Sequence, residues 1–292
     1  MLKYIETPIT EIKAEAADNL GIRIFVKHEY KNHPLVFGNK WWKLKYNLEE
    51  AGRRGHRSLL TFGGAYSNHI YAVAAAAKGL GFKSIGIIRG EEILPLNETL
   101  DFAKSRGMKL HFVSREAYRK KTETRFVESL EKQYGAFYLI PEGGTNLLAV
   151  KGCAEYAREK LLPIEFDYLC LPVGTGGTMA GIVAGLNEKR SVIGFSVLKD
   201  GDFLRDEIKN LTKDYSGKEF PNWHIETDFH FGGYAKKTPE LEQFILTMQQ
   251  QHGLLLDRVY TAKMVAGVFE LIKRNYFREG SKLLLLHTGG LR

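Results

Sequence analysis

Cysteine is nearly absent: Cys153 and Cys170 are the two in 292 residues. Such a pair makes neither a disulfide framework nor a metal-ligand pattern. Cys170 lies in an apolar strand-like run and Cys153 in a helical one, and both read as small buried hydrophobes. No apolar run approaches the ~20 residues that span a bilayer. The segment Met1-Leu2-Lys3-Tyr4-Ile5-Glu6-Thr7-Pro8 has no apolar signal core. The expectation is a cytoplasmic protein with no membrane partner and no metal site. Zinc-finger, RNP and basic-zipper patterns are missing too. The net charge is +8, from 42 Lys+Arg against 34 Asp+Glu, but the signs are interleaved, as in Arg115-Glu116, Glu123 with Arg125, and Glu155 before Arg158-Glu159-Lys160. A scattered excess lacks the basic face of a nucleic-acid binder, so nucleic acid is not an expected partner.

Proline is scarce, at 8, while glycine is plentiful, at 30. That balance suits an α/β protein with many tight strand-to-helix turns, and 44% apolar content is enough for one large domain or two modest ones. Short apolar runs read as strands at 22–26, 58–62, 84–88, 109–113, 137–140, 168–171, 192–197 and 283–286. Helical patterns lie between them: one from Lys40, an alanine-rich one after Ser67, one capped by Asn97, and others at 126–134, about 147–161, after Thr178, near 239–252 and at 261–277. Residues 214–237 read as irregular. Strands alternating with helices mean βαβ units and parallel sheets. The strand count is high for one sheet, so two sheets and two domains are expected.

Lys40 stands between a loop ending Phe37-Gly38-Asn39 and a segment in which Trp41, Leu44, Leu48 and Ala51 share one helical face. Alone, a lysine at such a helix start reads as solvated or capping. Three glycine-rich turns follow strands. Gly174-Thr175-Gly176-Gly177-Thr178 would converge backbone N–H groups at a helix start, an anion site suited to phosphate. It is not a P-loop, since no Gly-Lys-Ser/Thr follows, and not a dinucleotide fingerprint, since position 179 is Met. As a lone motif it is more often only a tight turn. Ser67, in Gly64-Ala65-Tyr66-Ser67-Asn68, is a good helix cap and also a hydroxyl at a strand's carboxyl end, where open α/β sheets bind ligands. Glu142-Gly143-Gly144-Thr145-Asn146 repeats that logic more weakly.

Six motifs occur in the order and spacing of one family: Gly38-Asn39-Lys40 with Lys43-Leu44, Tyr66-Ser67-Asn68-His69, Pro141-Glu142-Gly143-Gly144-Thr145-Asn146, Gly174-Thr175-Gly176-Gly177-Thr178, Asp257-Arg258-Val259-Tyr260-Thr261-Ala262-Lys263 and His287-Thr288-Gly289-Gly290. From about Thr7 to Gly290 the chain resembles the 1-aminocyclopropane-1-carboxylate (ACC) deaminase and D-cysteine desulfhydrase group of fold type II pyridoxal phosphate (PLP) enzymes. The resemblance implies a tryptophan synthase β-like α/β fold. It would have a large domain from residues 1–44 and 151–292, and a small inserted α/β domain, 45–150. A homodimer is implied as well.

The resemblance also implies roles. Lys40 would carry PLP through its side-chain amine and later act as general base at the substrate Cα. Lys43 and Gly174, Thr175, Gly176, Gly177 and Thr178 would hold the phosphate. Asn68 would bond the PLP 3′-oxygen, and Ser67 would meet the substrate carboxylate or its leaving side. Tyr234 and Tyr260 would be the active-site tyrosines, each otherwise an ordinary half-buried aromatic. Thr261 would face the pyridine nitrogen, with Thr288 in the closing motif. Threonine at 261 and 288, in place of the Glu and Leu of ACC deaminases, resembles the desulfhydrase pattern. The implied reaction is α,β-elimination of D-cysteine, or a related small D-amino acid, to pyruvate, ammonia and sulfide, a lyase step closed by hydrolysis and so open to a hydrolase label. ACC deaminase is the alternative, and a PLP- or metabolite-binding protein with little turnover is the alternative from another class. Phe37, Trp42, Tyr66 and Lys27-His28-Glu29-Tyr30 depart from the family's usual residues, which bears on the substrate end of the pocket.

Overall fold

A computed structural model describes residues 2–291. Ten strands form two sheets. The six-stranded sheet has the order β1-β2-β10-β7-β8-β9, built from β1 (Ile9–Ile12), β2 (Arg23–Lys27), β7 (Tyr168–Val173), β8 (Ser191–Ser196), β9 (Trp223–Glu226) and β10 (Lys282–Leu286). All its pairings are parallel except β1 with β2. The four-stranded sheet is wholly parallel, in the order β5-β4-β3-β6, from β3 (Ser58–Gly64), β4 (Lys83–Arg89), β5 (Met108–Val113) and β6 (Tyr138–Ile140).

The helices are α1 (Glu15–Asp18), α2 (Asn39–Arg53), α3 (Asn68–Leu80), α4 (Glu98–Ser105), α5 (Arg115–Arg119), α6 (Thr124–Tyr134), α7 (Leu147–Tyr156, continued by a π turn through Leu161), α8 (Gly177–Leu186), α9 (Leu204–Ser216), α10 (Pro239–His252) and α11 (Thr261–Lys273). Parallel strands buried on both faces read as continuous apolar runs, and their side chains alternate between two cores. Leu169, Leu171, Val173, Leu284 and Leu286 pack with α7, α8 and α9, while Cys170, Leu283 and Leu285 pack with α10 and α11. In the smaller sheet Leu59 and Ile88 face α3 and α4, and Leu60, Phe62, Ile85 and Ile87 face α5 and α6. Both cysteines are free and buried.

Helix α2 joins the two halves. Trp41 and Trp42 pack in the core of α7 and α8, whereas Leu44, Leu48 and Ala51 pack in the core of α3 and α4. Where α2 crosses α7, Gly152 allows the approach: a Cβ there would lie 2.0 Å from the Trp42 carbonyl oxygen. The segment expected to be irregular, 214–237, holds the end of α9 and strand β9. Strand β1, also unanticipated, has three of its four residues exposed. Among the described residues, no helix is long and apolar enough to cross a membrane.

Candidate active site

The glycine-rich turns and the closing motif singled out in the sequence each follow the carboxyl end of a strand: 65–68 after β3, 141–146 after β6, 174–178 after β7 and 287–290 after β10. These are the ends at which open parallel sheets gather ligands.

The start of α2 is fixed first. Gly38 adopts φ +65°, and a Cβ there would stand 1.8 Å from the Thr288 carbonyl oxygen, so this position admits no side chain. The Asn32 amide clasps Gly38, accepting from its N–H at 2.8 Å and donating to its carbonyl at 2.9 Å. The Asn39 N–H donates to the Thr288 carbonyl at 3.2 Å. Thr288 thus contributes through its backbone, and it lays the first turn of α2 against the segment after β10. Lys40, half-buried, donates from Nζ to the Gly143 carbonyl at 3.4 Å. Burial lowers its pKa from 10.5 to about 8. One turn on, Lys43 is 1% exposed and donates to Thr145 Oγ1 at 2.8 Å. Burial, and then the charge of Lys40, push its amine well below the ordinary lysine value.

Lys43 meets the turn after β7. Thr145 and Thr175 share a hydrogen bond of 2.6 Å between their hydroxyls, and Asn39 Nδ2 donates to Thr178 Oγ1 at 2.9 Å. A Cβ on Gly177 would lie 2.8 Å from the Thr145 methyl and 3.2 Å from Lys43 Nζ; one on Gly143 would lie 3.0 Å from Thr175. Gly176, at φ +74°, caps α8 with no side-chain acceptor. The result is an open helix N-terminus, a buried lysine and three threonine hydroxyls around backbone that must stay bare. That donor set fits a phosphate dianion, so the residues present suit PLP.

The turn after β3 is closed differently. Ser67 Oγ accepts from the N–H groups of His69 and Ile70 at 3.2 and 3.3 Å, the cap read from the sequence. Gly63 leaves room for it, since a Cβ there would be 2.9 Å from Ser67 Oγ. Asn68 opens α3, half-buried. Behind it the Thr61 hydroxyl donates to the Ile140 carbonyl at 2.8 Å, so it accepts from His69 Nε2–H at 2.8 Å. Burial, then Lys40 and Lys43, hold this imidazole well below its usual pKa. Tyr66 is 67% exposed.

Tyr260 and Tyr234 come together from segments 26 residues apart: Tyr260 OH donates to Tyr234 OH at 3.4 Å, with rings edge-to-face. Tyr260 lies along the glycine turn, where a Cβ on Gly174 would be 3.3 Å from its ring. Burial first, then Tyr234, raise its pKa well above the ordinary phenol value, so it stays protonated. Thr261 is fully buried, and its hydroxyl donates to Asp257 Oδ2 at 2.6 Å. Asp257 also accepts from the N–H groups of Val259, Tyr260 and Thr261 and so caps α11. The Thr261 hydroxyl is therefore engaged with Asp257 rather than turned to a free partner.

Three contributors escape sequence reading. Thr145 sits in the weakest of the three turns. Asn39 is hidden beside the more conspicuous Lys40. Glu29, 1% exposed, accepts from Trp42 Nε1, Tyr156 OH, Asn32 Nδ2 and Thr7 Oγ1, locking the loop before α2. A buried carboxylate is tolerable only with such donors, and burial raises its pKa. The departure at Trp42 therefore serves this hub. Phe37, a second departure, packs on Gly289 and Tyr71.

Comparison with known proteins supplies the context for this geometry. The family model described as pyridoxal-phosphate dependent enzyme matches residues 1–289. The chain is 32% identical over 300 residues to a putative 1-aminocyclopropane-1-carboxylate deaminase of Pyrococcus abyssi, covering 98% of this chain and 89% of the relative. It is 31% identical over 314 residues to a mitochondrial bifunctional D-cysteine desulfhydrase/1-aminocyclopropane-1-carboxylate deaminase of Arabidopsis thaliana, covering 99% of this chain and 77% of that one. A crystal structure of an ACC deaminase homologue superposes with a TM-score of 0.86 at 28% identity, covering 100% of this chain and 91% of that one.

Proposed function

The chain belongs to the pyridoxal-phosphate dependent enzymes, and from that premise we propose that it is a lyase acting on D-cysteine or a related small D-amino acid, yielding pyruvate, ammonia and hydrogen sulfide. Thr261 carries the choice of leaving group. A neutral hydroxyl, spent on Asp257, stands where an acid at the cofactor ring would strengthen the electron sink. A weaker sink suffices when a thiol departs promptly from Cβ, and suits opening of a cyclopropane less well. ACC deaminase is the second reading. It is favoured by the likeness to relatives carrying that name and by the Tyr260 phenol, kept protonated by burial and hydrogen-bonded to Tyr234, which is able to meet a carbon leaving group.

We assign the roles as follows. Lys40 holds the cofactor, while Lys43, Gly174, Thr175, Gly176, Gly177 and Thr178 hold its phosphate. Asn68 orients the ring, Thr261 stands at its nitrogen with the hydroxyl held by Asp257, Thr288 fixes the start of α2, and Ser67 meets the substrate. Pyridoxal phosphate, when bound, supplies the conjugated electron sink that no side chain can. Lys40, whose pKa is lowered to about 8, takes the Cα proton on Nζ. The Cβ–S bond then breaks with its electron pair on sulfur, and Tyr260 OH, backed by Tyr234, delivers the proton that makes it a neutral leaving group. Only afterwards does the released enamine take a proton at Cβ to become an imine, and water adds at the imine carbon, releasing ammonia and pyruvate. The bond is broken by elimination, so a hydrolase label does not apply. Lys43, its pKa lowered by burial, would regain its charge beside a phosphate dianion. We further propose the lobes 1–44 with 151–292 and 45–150, and a cytoplasmic homodimer.

The test is pyruvate release from D-cysteine, L-cysteine, D-serine and ACC by cofactor-loaded protein and its Lys40→Ala variant. Release from D-cysteine, lost in the variant together with the visible absorbance of the lysine-bound cofactor, supports the assignment. Release from ACC alone makes it a deaminase. A coloured protein inert to all four overturns the assignment to D-cysteine and favours the binding-protein reading or a different substrate.

A further inference from the structure

Lys263 is fully buried, yet it carries an ammonium. Its hydrogen bond among the described residues runs from Nζ to the Gly233 carbonyl at 2.6 Å. Burying a cation is unfavourable unless its donors are used, so a lysine kept there for packing alone is a poor choice beside methionine or leucine. The carbonyl it grips belongs to an unusual turn. Phe231, Gly232, Gly233 and Ala235 all have positive φ, at 48°, 83°, 105° and 57°. Two of the four carry side chains, and such backbone persists only when its surroundings impose it. The turn's own bonds are Gly233 N–H to the His230 carbonyl at 3.0 Å, Lys236 N–H to the Gly233 carbonyl at 3.2 Å and Gly232 N–H to His230 Nδ1 at 3.0 Å, and none of them ties the turn to another element. Tyr234 follows the gripped carbonyl directly. Lys263 lies three residues after Tyr260, the residue that precedes α11. The start of α11 therefore follows one tyrosine directly and tethers the other.

We infer that Lys263 is a positioning residue: its ammonium, bonded to the Gly233 carbonyl, holds the 230–236 turn so that Tyr234 meets Tyr260. This rests on the lyase reading only in taking the tyrosine pair as the proton donor to the leaving group. The tether itself stands on the turn geometry. Burial, its first cause, lowers the Lys263 pKa to about 8, with Asp257 opposing, so the amine remains a hydrogen-bond donor in either state.

The experiment is a double-mutant cycle with a structural readout beside it. Lys263→Met keeps the stem and removes the donor. In loaded enzyme it is expected to lower kcat for pyruvate release about 10- to 100-fold, the scale of a small misplacement of a catalytic group, with KM nearly unchanged. Tyr234→Phe gives a loss of its own, and adding Lys263→Met to it gives no further loss, because the tether then holds nothing that reacts. Trypsin, which cuts after the exposed Lys236 and Lys237, nicks Lys263→Met faster than wild type, with or without cofactor. Lys263→Gln, shorter but still a donor, falls between, and takes the place of the methionine variant if that variant does not fold. Independent, multiplying losses in the double variant overturn the inference, as does an unchanged nicking rate. If wild type releases pyruvate from no substrate, the lyase reading fails by itself. Faster nicking would then still support the tether, and unchanged nicking would still overturn it.

Discussion

Two helices begin at strand ends facing the same site, and they begin differently. At α3 the chain closes the helix itself, with Ser67 Oγ accepting from two of the free N–H groups. At α8 no side chain caps, the preceding residue is a glycine at φ +74°, and Lys43, Thr145 and Thr175 gather around it. A helix start leaves about four N–H groups without partners. A chain that satisfies them internally gains stability, and one that leaves them open gains an anion site. The difference separates a self-capped terminus from an open one within one topology, and it is the ground on which we assign the phosphate to α8.

Gly177→Ala should break this contrast most severely. The new methyl would lie 2.8 Å from the Thr145 methyl and 3.2 Å from Lys43 Nζ, filling the open start of α8. Cofactor affinity, read by fluorescence titration of cofactor-free protein, is expected to fall about 10- to 100-fold, the cost of lost hydrogen bonds to a charged group. Circular dichroism should be unchanged. Retained affinity would move the phosphate away from this turn.

Lys40 sharpens the contrast kinetically. Its folded pKa, about 8, lies below the ordinary 10.5, and only the free amine attacks the cofactor aldehyde. The rate of cofactor capture should climb about tenfold per pH unit below 8 and level above it. The unfolded chain binds the extra proton between about 8 and 10.5, so the cofactor-free protein gains stability as pH rises through that window. Lys40→Met should lack that increment. A capture rate independent of pH across about 6 to 9 would show that another step limits it.

Much of this was legible in the sequence, for physical reasons that also mark where legibility ends. Strands buried on both faces, such as Tyr168–Val173 and Lys282–Leu286, announce themselves as apolar runs. Edge strands do not: β1 is mostly exposed, and β9, at the other edge, has one fully buried residue in four. Helix α9 buries Leu204, Ile208 and Thr212 at four-residue spacing, but charged neighbours mask it. The 174–178 turn could be read as a candidate anion site because its chemistry is local. The Glu29 hub could not, since Trp42 and Tyr156 stand 13 and 127 residues away. The partners of Lys263 and Thr261 were hidden likewise: the motif shows the residue, and the fold decides what it touches.

The smallest effect tests the closed side of the contrast. Ser67→Ala removes a cap whose two bonds are already long, at 3.2 and 3.3 Å. It should cost about 1 kcal/mol, which for a chain of this size is a fall of roughly 2 °C in Tm. Cofactor affinity should hold, because the phosphate is assigned to α8. If the hydroxyl also meets the substrate, KM for D-cysteine rises while the bound-cofactor absorbance stays as in wild type, since one oxygen can accept from the helix and still donate its proton outward. A Ser67→Ala protein that sheds its cofactor as Gly177→Ala does would collapse the distinction between the two helix starts, and the anion site would then have to be drawn across both.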